Sequence, residues 1–212
     1  MQEDVILLTC DIGESLTTIT LSNGEVLKLA SESLPPALPS PGQKLSPLLI
    51  DELQAAAQKK EIARKVFAIL DRRLQSTSRI HKKLTDNGYD AELVTQVLDK
   101  FAESGLLSDT IFAEAYCRDT LLSKLVGRMY LVSKLYHFGV SRDIVDKVTS
   151  EQLPIELEQE LCNKASIKWW QKKARGDYYK DEQRCRRFLA GRGFNLSIIS
   201  SAVKQTKESS QS

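Results

Sequence analysis

The side chains of this chain that could do chemistry are mostly cations, and they are unevenly spread. Residues 1–60 carry 4 basic and 8 acidic groups, residues 61–160 carry 14 and 16, and residues 161–212 carry 12 and 4. The three segments are therefore −4, −2 and +8. In the basic end Lys164, Lys168, Lys172, Lys173 and Arg175 are mixed with Trp169, Trp170, Tyr178 and Tyr179. Cations interleaved with rings suit phosphate contact and base stacking, although a run of charge can equally be a solvated face. Trp169 lies at a spacing of four from Ala165, Leu161 and Leu157, which reads as a core stripe rather than a stacking platform.

Catalytic chemistry finds little to use. His81 and His137 sit on polar helix positions with no cysteine or carboxylate spaced to join them. Cys10, Cys117, Cys162 and Cys185 are far apart and form no C-x-x-C pair, so they read as reduced structural thiols rather than zinc ligands or a disulfide framework. P-loop, H-E-x-x-H and G-x-S-x-G patterns are absent from the sequence. The expectation is a protein that is not an enzyme and needs no cofactor or metal. No apolar run reaches the roughly 20 residues that a membrane-spanning helix needs, and the start MQEDVILLTC lacks the basic and apolar regions of a secretory signal. A cytoplasmic protein without membrane contact is expected.

The elements that position these groups begin with strand. Val5 to Thr9 and Leu16 to Leu21 are branched and apolar, and Ser22, Asn23 and Gly24 separate the latter from Val26 to Ala30. Asn-Gly between two such runs predicts a hairpin with a type I′ turn. Four of the six prolines fall between Leu34 and Gly42, marking a connector. Helix resumes at Ser46, which can cap it; Pro47 suits the first helical position, and Leu45 can staple to Ile50.

From there one template recurs three times, over Ile80 to Val97, Leu131 to Val148 and Cys185 to Ala202, at offsets of 51 and 54. An apolar residue (Ile80, Leu131, Cys185) is followed four later by a leucine (Leu84, Leu135, Leu189) and four later again by a glycine (Gly88, Gly139, Gly193). That glycine predicts a left-handed helix stop. An apolar residue (Tyr89, Val140, Phe194) and a helix cap (Asp90, Ser141, Asn195) come next, and the apolar pairs Leu93–Val94, Ile144–Val145 and Ile198–Ile199 then start a second helix. A preceding helix completes each module: Glu61 to Arg73 with Val66, Ile69 and Leu70 inward, one from near Ser108 with Ile111, Phe112, Ala115 and Tyr116 inward, and one through Leu157, Leu161, Ala165 and Trp169. The predicted fold is mainly α: three tandem three-helix repeats in an elongated curved array, preceded by a small N-terminal β-hairpin element. The predicted divisions are 1–45 for the β element and connector, 46–107 for a linking helix and the first repeat, 108–154 for the second repeat, and 155–212 for the third with a polar tail.

Helix, glycine turn, helix also describes a helix-turn-helix, whose second helix reads the major groove. Here the second helices carry the wrong charge. Asp90 to Phe101 has Asp90, Glu92 and Asp99 against Lys100, and Asn195 to Val203 has no charge. The cations lie before the glycines instead: Arg79, Lys82 and Lys83; Arg128 and Lys134; Arg184, Arg186, Arg187 and Arg192. With Arg118, Lys168, Lys172 and Lys173 they form the candidate basic face for a partner or for DNA.

From about Ala63 to Gln205 the chain resembles the RecX family, regulators of the RecA recombinase. Gly105 to Ala113, G-L-L-S-D-T-I-F-A, resembles the family's G-(L/Y)-(L/I)-D-D-x-x-(F/Y)-A, with Arg118 where the family often has arginine. Gly127 to Val140 resembles its G-x-x-x-(I/L)-x-x-x-L-x-x-x-G-(I/V), and Phe188 to Phe194, F-L-A-G-R-G-F, resembles its third-repeat signature. Ser108 stands in place of the first aspartate, Arg128 in place of a frequent proline, and Arg79 and Lys134 in place of frequent acids. The resemblance implies a monomer that lies in the groove of a RecA filament on single-stranded DNA, touching the DNA weakly or indirectly. It implies inhibition of the filament's ATPase, strand exchange and coprotease activities, and so modulation of recombination and the SOS response. The alternative left by the residues alone is a helical nucleic-acid-binding protein that acts without RecA.

Overall fold

The computed structural model describes residues 4–174 and 176–210, so Arg175 lies outside the described residues. Three strands, β1 (Leu7–Ile12), β2 (Leu16–Leu21) and β3 (Val26–Ala30), precede nine helices among the described residues. The helices are α1 (Pro47–Leu70), α2 (Thr77–Asp86), α3 (Ala91–Glu103), α4 (Asp109–Ser123), α5 (Arg128–His137), α6 (Arg142–Gln152), α7 (Ile155–Lys173), α8 (Tyr178–Gly191) and α9 (Leu196–Ser210). The chain is mainly α, with a small antiparallel sheet at its start and three helices in each repeat. In every repeat the first and third helices pack together: α1 with α3, α4 with α6, α7 with α9.

The chain folds as two compact units, one running up to Gln75 and including Arg79–Leu107, the other made of Ser76–Ser78 and the residues from Ser108 on. The first unit thus joins the β element to the first repeat, and the second joins the second and third repeats. Within the first unit, β1, β2 and β3 form a three-stranded meander rather than a lone hairpin. The ladder continues past Thr9 through Asp11 opposite Thr18, so β1 starts and ends later than the expected Val5 to Thr9. Gln43 and Lys44, at the end of the Pro-rich connector, pair with this strand's beginning through Leu7 N to Gln43 O (3.0 Å) and the Ile6–Lys44 bridge. The β2–β3 turn is not type I′. No described non-glycine residue has a positive φ, so Asn23 stays on the ordinary side and Gly24 alone, at φ 84°, takes the left-handed step. Gly24 N to Leu21 O and Leu21 N to Glu25 O close a type I turn with a glycine bulge.

Helix α1 fuses two elements that the spacing keeps apart. Between Asp51 and Ala63 there is no glycine or proline, and Ala55, Ala56, Ala57, Gln58 and Lys59 are good helix formers, so the linking helix runs straight into the first helix of the repeat. It stops at Leu70, short of Arg73. Ser46 caps its start by accepting from Leu49 N at 3.2 Å. Its first half closes the sheet's apolar face, where Leu7, Ile19, Leu21, Leu29 and Leu53 are fully buried. Its second half meets α2 and α3 through Ile62, Val66, Ile80, Leu84, Val94 and Leu98.

The second unit has one continuous core. Leu131, Leu135, Val145 and Val148 of the second repeat and Leu161, Cys162, Cys185, Leu189 and Ile199 of the third belong to it. Two helices are turned from the expected faces. Ile111 is exposed while Phe112, Ala113, Cys117 and Thr120 face inward, and Leu157 is largely exposed while Glu158 takes the inward position.

Each repeat closes on the same turn. Gly88, Gly139 and Gly193 all have positive φ (87°, 75° and 80°). The next residue's N–H then reaches back to the template leucine's carbonyl: Tyr89 to Leu84, Val140 to Leu135, Phe194 to Leu189, at 3.2, 3.1 and 3.4 Å. This is the Schellman arrangement, and it satisfies a carbonyl that the helix end would otherwise leave unpaired. Asp90 caps the following helix through Glu92 N and Leu93 N, and Asn195 accepts from Ser197 N. Ser141 stands at the second repeat's cap position but its side chain makes no capping bond.

In the second unit the turns also lock the repeats together. Gly127 N donates to Arg192 O and Met129 N to Gly193 O, both at 3.0 Å. A Cβ on Gly127 would overlap the Gly193 carbonyl, and one on Gly193 would overlap the Tyr130 backbone. Gly88 has the same φ class but open space around it. Gly88→Ala should therefore cost only the left-handed strain, about 1–2 kcal/mol, whereas Gly193→Ala adds a backbone clash and should cost about 3 kcal/mol or more. Urea unfolding of the two variants measures the difference.

Candidate functional site

The candidate cations fall into three environments, and only some of them are available to a partner. In the first unit Arg79, Lys82 and Lys83 are exposed on α2. Beside them the end of α1 contributes Arg64 and Lys65, and the turn after it Arg72 and Arg73, which are not among the cations that the repeat template picks out. Two adjoining depressions result. One, of about 540 Å³, is lined by Arg73, Arg79, Lys82, Lys83 and Asp86. The other, of about 480 Å³, is lined by Arg64, Lys65, Arg72, Arg73 and Lys83. Glu61 offsets part of this charge: Arg64 bonds it at 2.7 Å and holds its carboxyl below the ordinary glutamate range. Charge counting misses the α1 cations because residues 61–160 are net acidic as a block. Arg64 and Lys65 lie on the last turns of α1 and Arg72 in the turn that follows, and all three line one depression.

In the second unit Lys168, Lys172 and Lys173 are exposed on the last turns of α7. With Lys124, at the end of α4, and Arg192, at the end of α8, they surround a cavity of about 410 Å³ floored by Leu125, Ala165, Trp169 and Phe188. Lys124 is a further cation that the sequence pattern does not single out. Arg118 is exposed on α4, and Lys134 is exposed on α5 with its ammonium 5.7 Å from the Tyr130 ring.

The remaining arginines serve the fold. The Arg128 guanidinium donates to Leu153 O at 2.6 Å, closing the end of α6, and its Nε is buried without a hydrogen-bond partner among the described residues. Its backbone N–H is taken by the buried Glu158 carboxylate at 2.9 Å, which caps α5 where Gly127 has no side chain to do so. Arg184 pairs with the buried Asp181 at 3.0 Å, and Arg186 with Glu182 at 2.9 Å and Ser200 at 3.1 Å. Arg192 donates to Leu125 O at 2.9 Å and lies 4.7 Å from the Phe188 ring. Of the α8 arginines, Arg187 is the exposed one, bonding only its own helix through Gln183 O. Of the cations expected from sequence, Arg128, Arg184, Arg186 and Arg192 are tied to this chain, Lys134 lies over the Tyr130 ring, and Lys82, Lys83, Lys168, Lys172 and Lys173 are exposed.

The aromatic residues follow the same division. Trp169 is 9% exposed and belongs to the core. Trp170 stacks on Tyr178, with centroids 5.3 Å apart, and meets Trp169 edge-on. Tyr179, 73% exposed, is the most exposed ring of this group, and Tyr178 is also exposed. Cys117, Cys162 and Cys185 are buried in the core and Cys10 is partly exposed; all four are free thiols. Burial pushes Cys117 up to about 11 and Cys162 up to about 12. No group of three or more His, Cys, Asp or Glu residues that could hold a metal ion occurs among the described residues, and no described helix is long and apolar enough to cross a membrane.

Comparison with known proteins finds similarity to RecX proteins. Residues 156–203 match the family model for RecX, third three-helix domain. A regulatory protein RecX from Clostridium botulinum (strain Alaska E43 / Type E3) is 28% identical over 143 residues, 64% of this chain and 64% of that protein. One from Clostridium perfringens (strain SM101 / Type A) is 27% identical over 169 residues, 77% of this chain and 78% of that protein. The chain therefore spans just under two thirds of the first of these relatives. The crystal structure of a regulatory protein RecX superposes with a TM-score of 0.78 at 21% identity, covering 93% of this chain and 98% of that one, which establishes a shared fold.

Two measurements separate scaffold from surface. Arg128→Ala should lower unfolding stability by about 2–4 kcal/mol because it strands buried polar groups, while Lys172→Ala should stay within about 0.5 kcal/mol. Iodoacetamide at pH 8 should modify Cys10 in the native protein and reach Cys117, Cys162 and Cys185 only after denaturation. Unfolded thiols ionise near 9.0 while Cys117 in the fold waits until about 11, so the unfolded chain loses protons first. Stability should fall as pH rises across that window.

Proposed function

We propose that this chain, which belongs to the RecX family of regulatory proteins, binds the RecA filament on single-stranded DNA and restrains it without catalysing a reaction of its own. The observation that carries this reading is the family match over the third repeat, supported by the RecX relatives that span more of the chain, in a fold whose exposed cations gather on α2 and α7. Curated relatives are named regulatory proteins, which supports a binding role. Three linked modules can engage successive subunits of a polymer at once, and linkage raises avidity without any single strong site. Inhibition of ATP hydrolysis, strand exchange and coprotease activity would follow from occupying a groove that those activities need open. The protein would act as a cytoplasmic monomer without a cofactor, with its lysines meeting either acidic filament surface or DNA phosphate.

An autonomous nucleic-acid-binding protein is the alternative, and α3 and α9 argue against its helix-turn-helix form. Asp90, Glu92 and Asp99 outnumber Lys100 along α3 and its cap, and the first turns of α9 carry no charge. Such helices repel or ignore the major groove.

The test is ATP hydrolysis by RecA on single-stranded DNA with added protein. Inhibition is expected at substoichiometric amounts, and Lys82→Glu with Lys83→Glu should raise the half-inhibiting concentration about tenfold by reversing two exposed charges. No inhibition at equimolar protein, together with tight sequence-selective duplex binding, would replace this reading with the alternative.

A further inference from the structure

The cavity of the second unit has a chemistry more specific than a basic surface. Its floor is apolar, its rim carries the ammonium groups of Lys124, Lys168, Lys172 and Lys173, and no carboxylate lines it among the described residues. A ligand must therefore be anionic at its edges and apolar at its centre. A nucleotide base is a poor match, since stacking requires an open ring face. Trp169 is 9% exposed, and the Arg192 guanidinium lies against the Phe188 ring at 4.7 Å, fixed there by its bond to Leu125 O. What the floor offers is a pocket for a bulky apolar side chain, within the usual size range of such sites. Lys168 and Lys172 are one helical turn apart on α7, which sets their ammonium groups side by side on one edge of the pocket.

We propose that this cavity, between the end of α4 and the facing sides of α7 and α8, binds an acidic segment of a partner protein that inserts one large apolar side chain and lays its flanking carboxylates on the lysine rim. The inference rests on the reading that the chain works by binding a protein partner, and names the chemistry of one contact in that binding. Apolar insertion supplies the anchor, as buried anchors do in protein interfaces, and the lysines supply selection for acidic flanks.

The probe is a fluorescein-labelled seven-residue peptide with a central phenylalanine flanked by aspartate and glutamate, titrated with the full chain and read by anisotropy. Saturable binding is expected, weakened about tenfold or more when the central residue is serine, when the acids become their amides, or when the chain carries Lys168→Glu and Lys172→Glu with unchanged helical circular dichroism. Equal binding of the phenylalanine and serine peptides would overturn the proposal, leaving only a diffuse cation cloud. So would undiminished binding by the double variant, or displacement of the peptide by an oligothymidylate at lower concentration than by unlabelled peptide. Because no recombinase is present, failure here leaves the outcome of the filament assay untouched, and failure of that assay leaves this one standing.

Discussion

Everything in the second unit depends on how closely two backbones approach at Gly127 and Gly193. The turn that ends α8 needs a left-handed residue, and the start of α5 needs to lie against that turn closely enough for two main-chain hydrogen bonds. Either requirement alone favours glycine at one position, and together they exclude a side chain at both. With the turn seated there, Leu131, Leu135, Cys185 and Leu189 meet in one core. Ser76, which this unit includes, adds a further bond: its hydroxyl donates to Phe138 O at the turn that ends α5. A repeat protein held by nearest-neighbour contacts needs such an interlock, because no single module buries enough apolar surface to stand alone.

The same packing decides which cations remain for binding. Arginine is well suited to satisfying several carbonyls or carboxylates at a fixed angle, and Arg128, Arg184, Arg186 and Arg192 are used in that way. Lysine, a point charge on a flexible stem, is left at the surface on α2 and α7. Substitutions at the two kinds of cation should therefore have opposite signatures, in stability for the arginines and in association for the lysines. A charge-reversal scan that ignored the division would confuse unfolding with loss of contact.

How much can be read from residues alone follows from which forces are local. The repeat, the glycine stops and the Asp90 cap are legible because each depends on a few consecutive residues and on backbone geometry that only certain side chains permit. The candidate surface is half legible. Charge counts locate the basic end, but whether Arg128 reaches solvent or Leu153 O depends on where α6 ends, which is a tertiary fact. The cations beside α2 are hidden for a related reason: residues 61–160 are net acidic as a block, and only packing sets Arg64, Lys65 and Arg72 next to Lys83. The Asn23-Gly24 signal points to the correct hairpin and the wrong turn, because a bulge at Gly24 satisfies the strand twist with one positive φ instead of two.

If the proposed reading is right, the chain changes the dynamics of a recombinase polymer, and ceases to do so when its exposed lysines on α2 and α7 lose their charge. The most direct test is to follow RecA filament growth and loss on single DNA molecules, with the native chain and with a variant in which Lys82, Lys83, Lys168 and Lys172 are glutamine. Slowed growth or net filament loss with the native chain, and near-normal filaments with the folded variant, is the predicted result. Unchanged growth and loss at saturating native protein would contradict it.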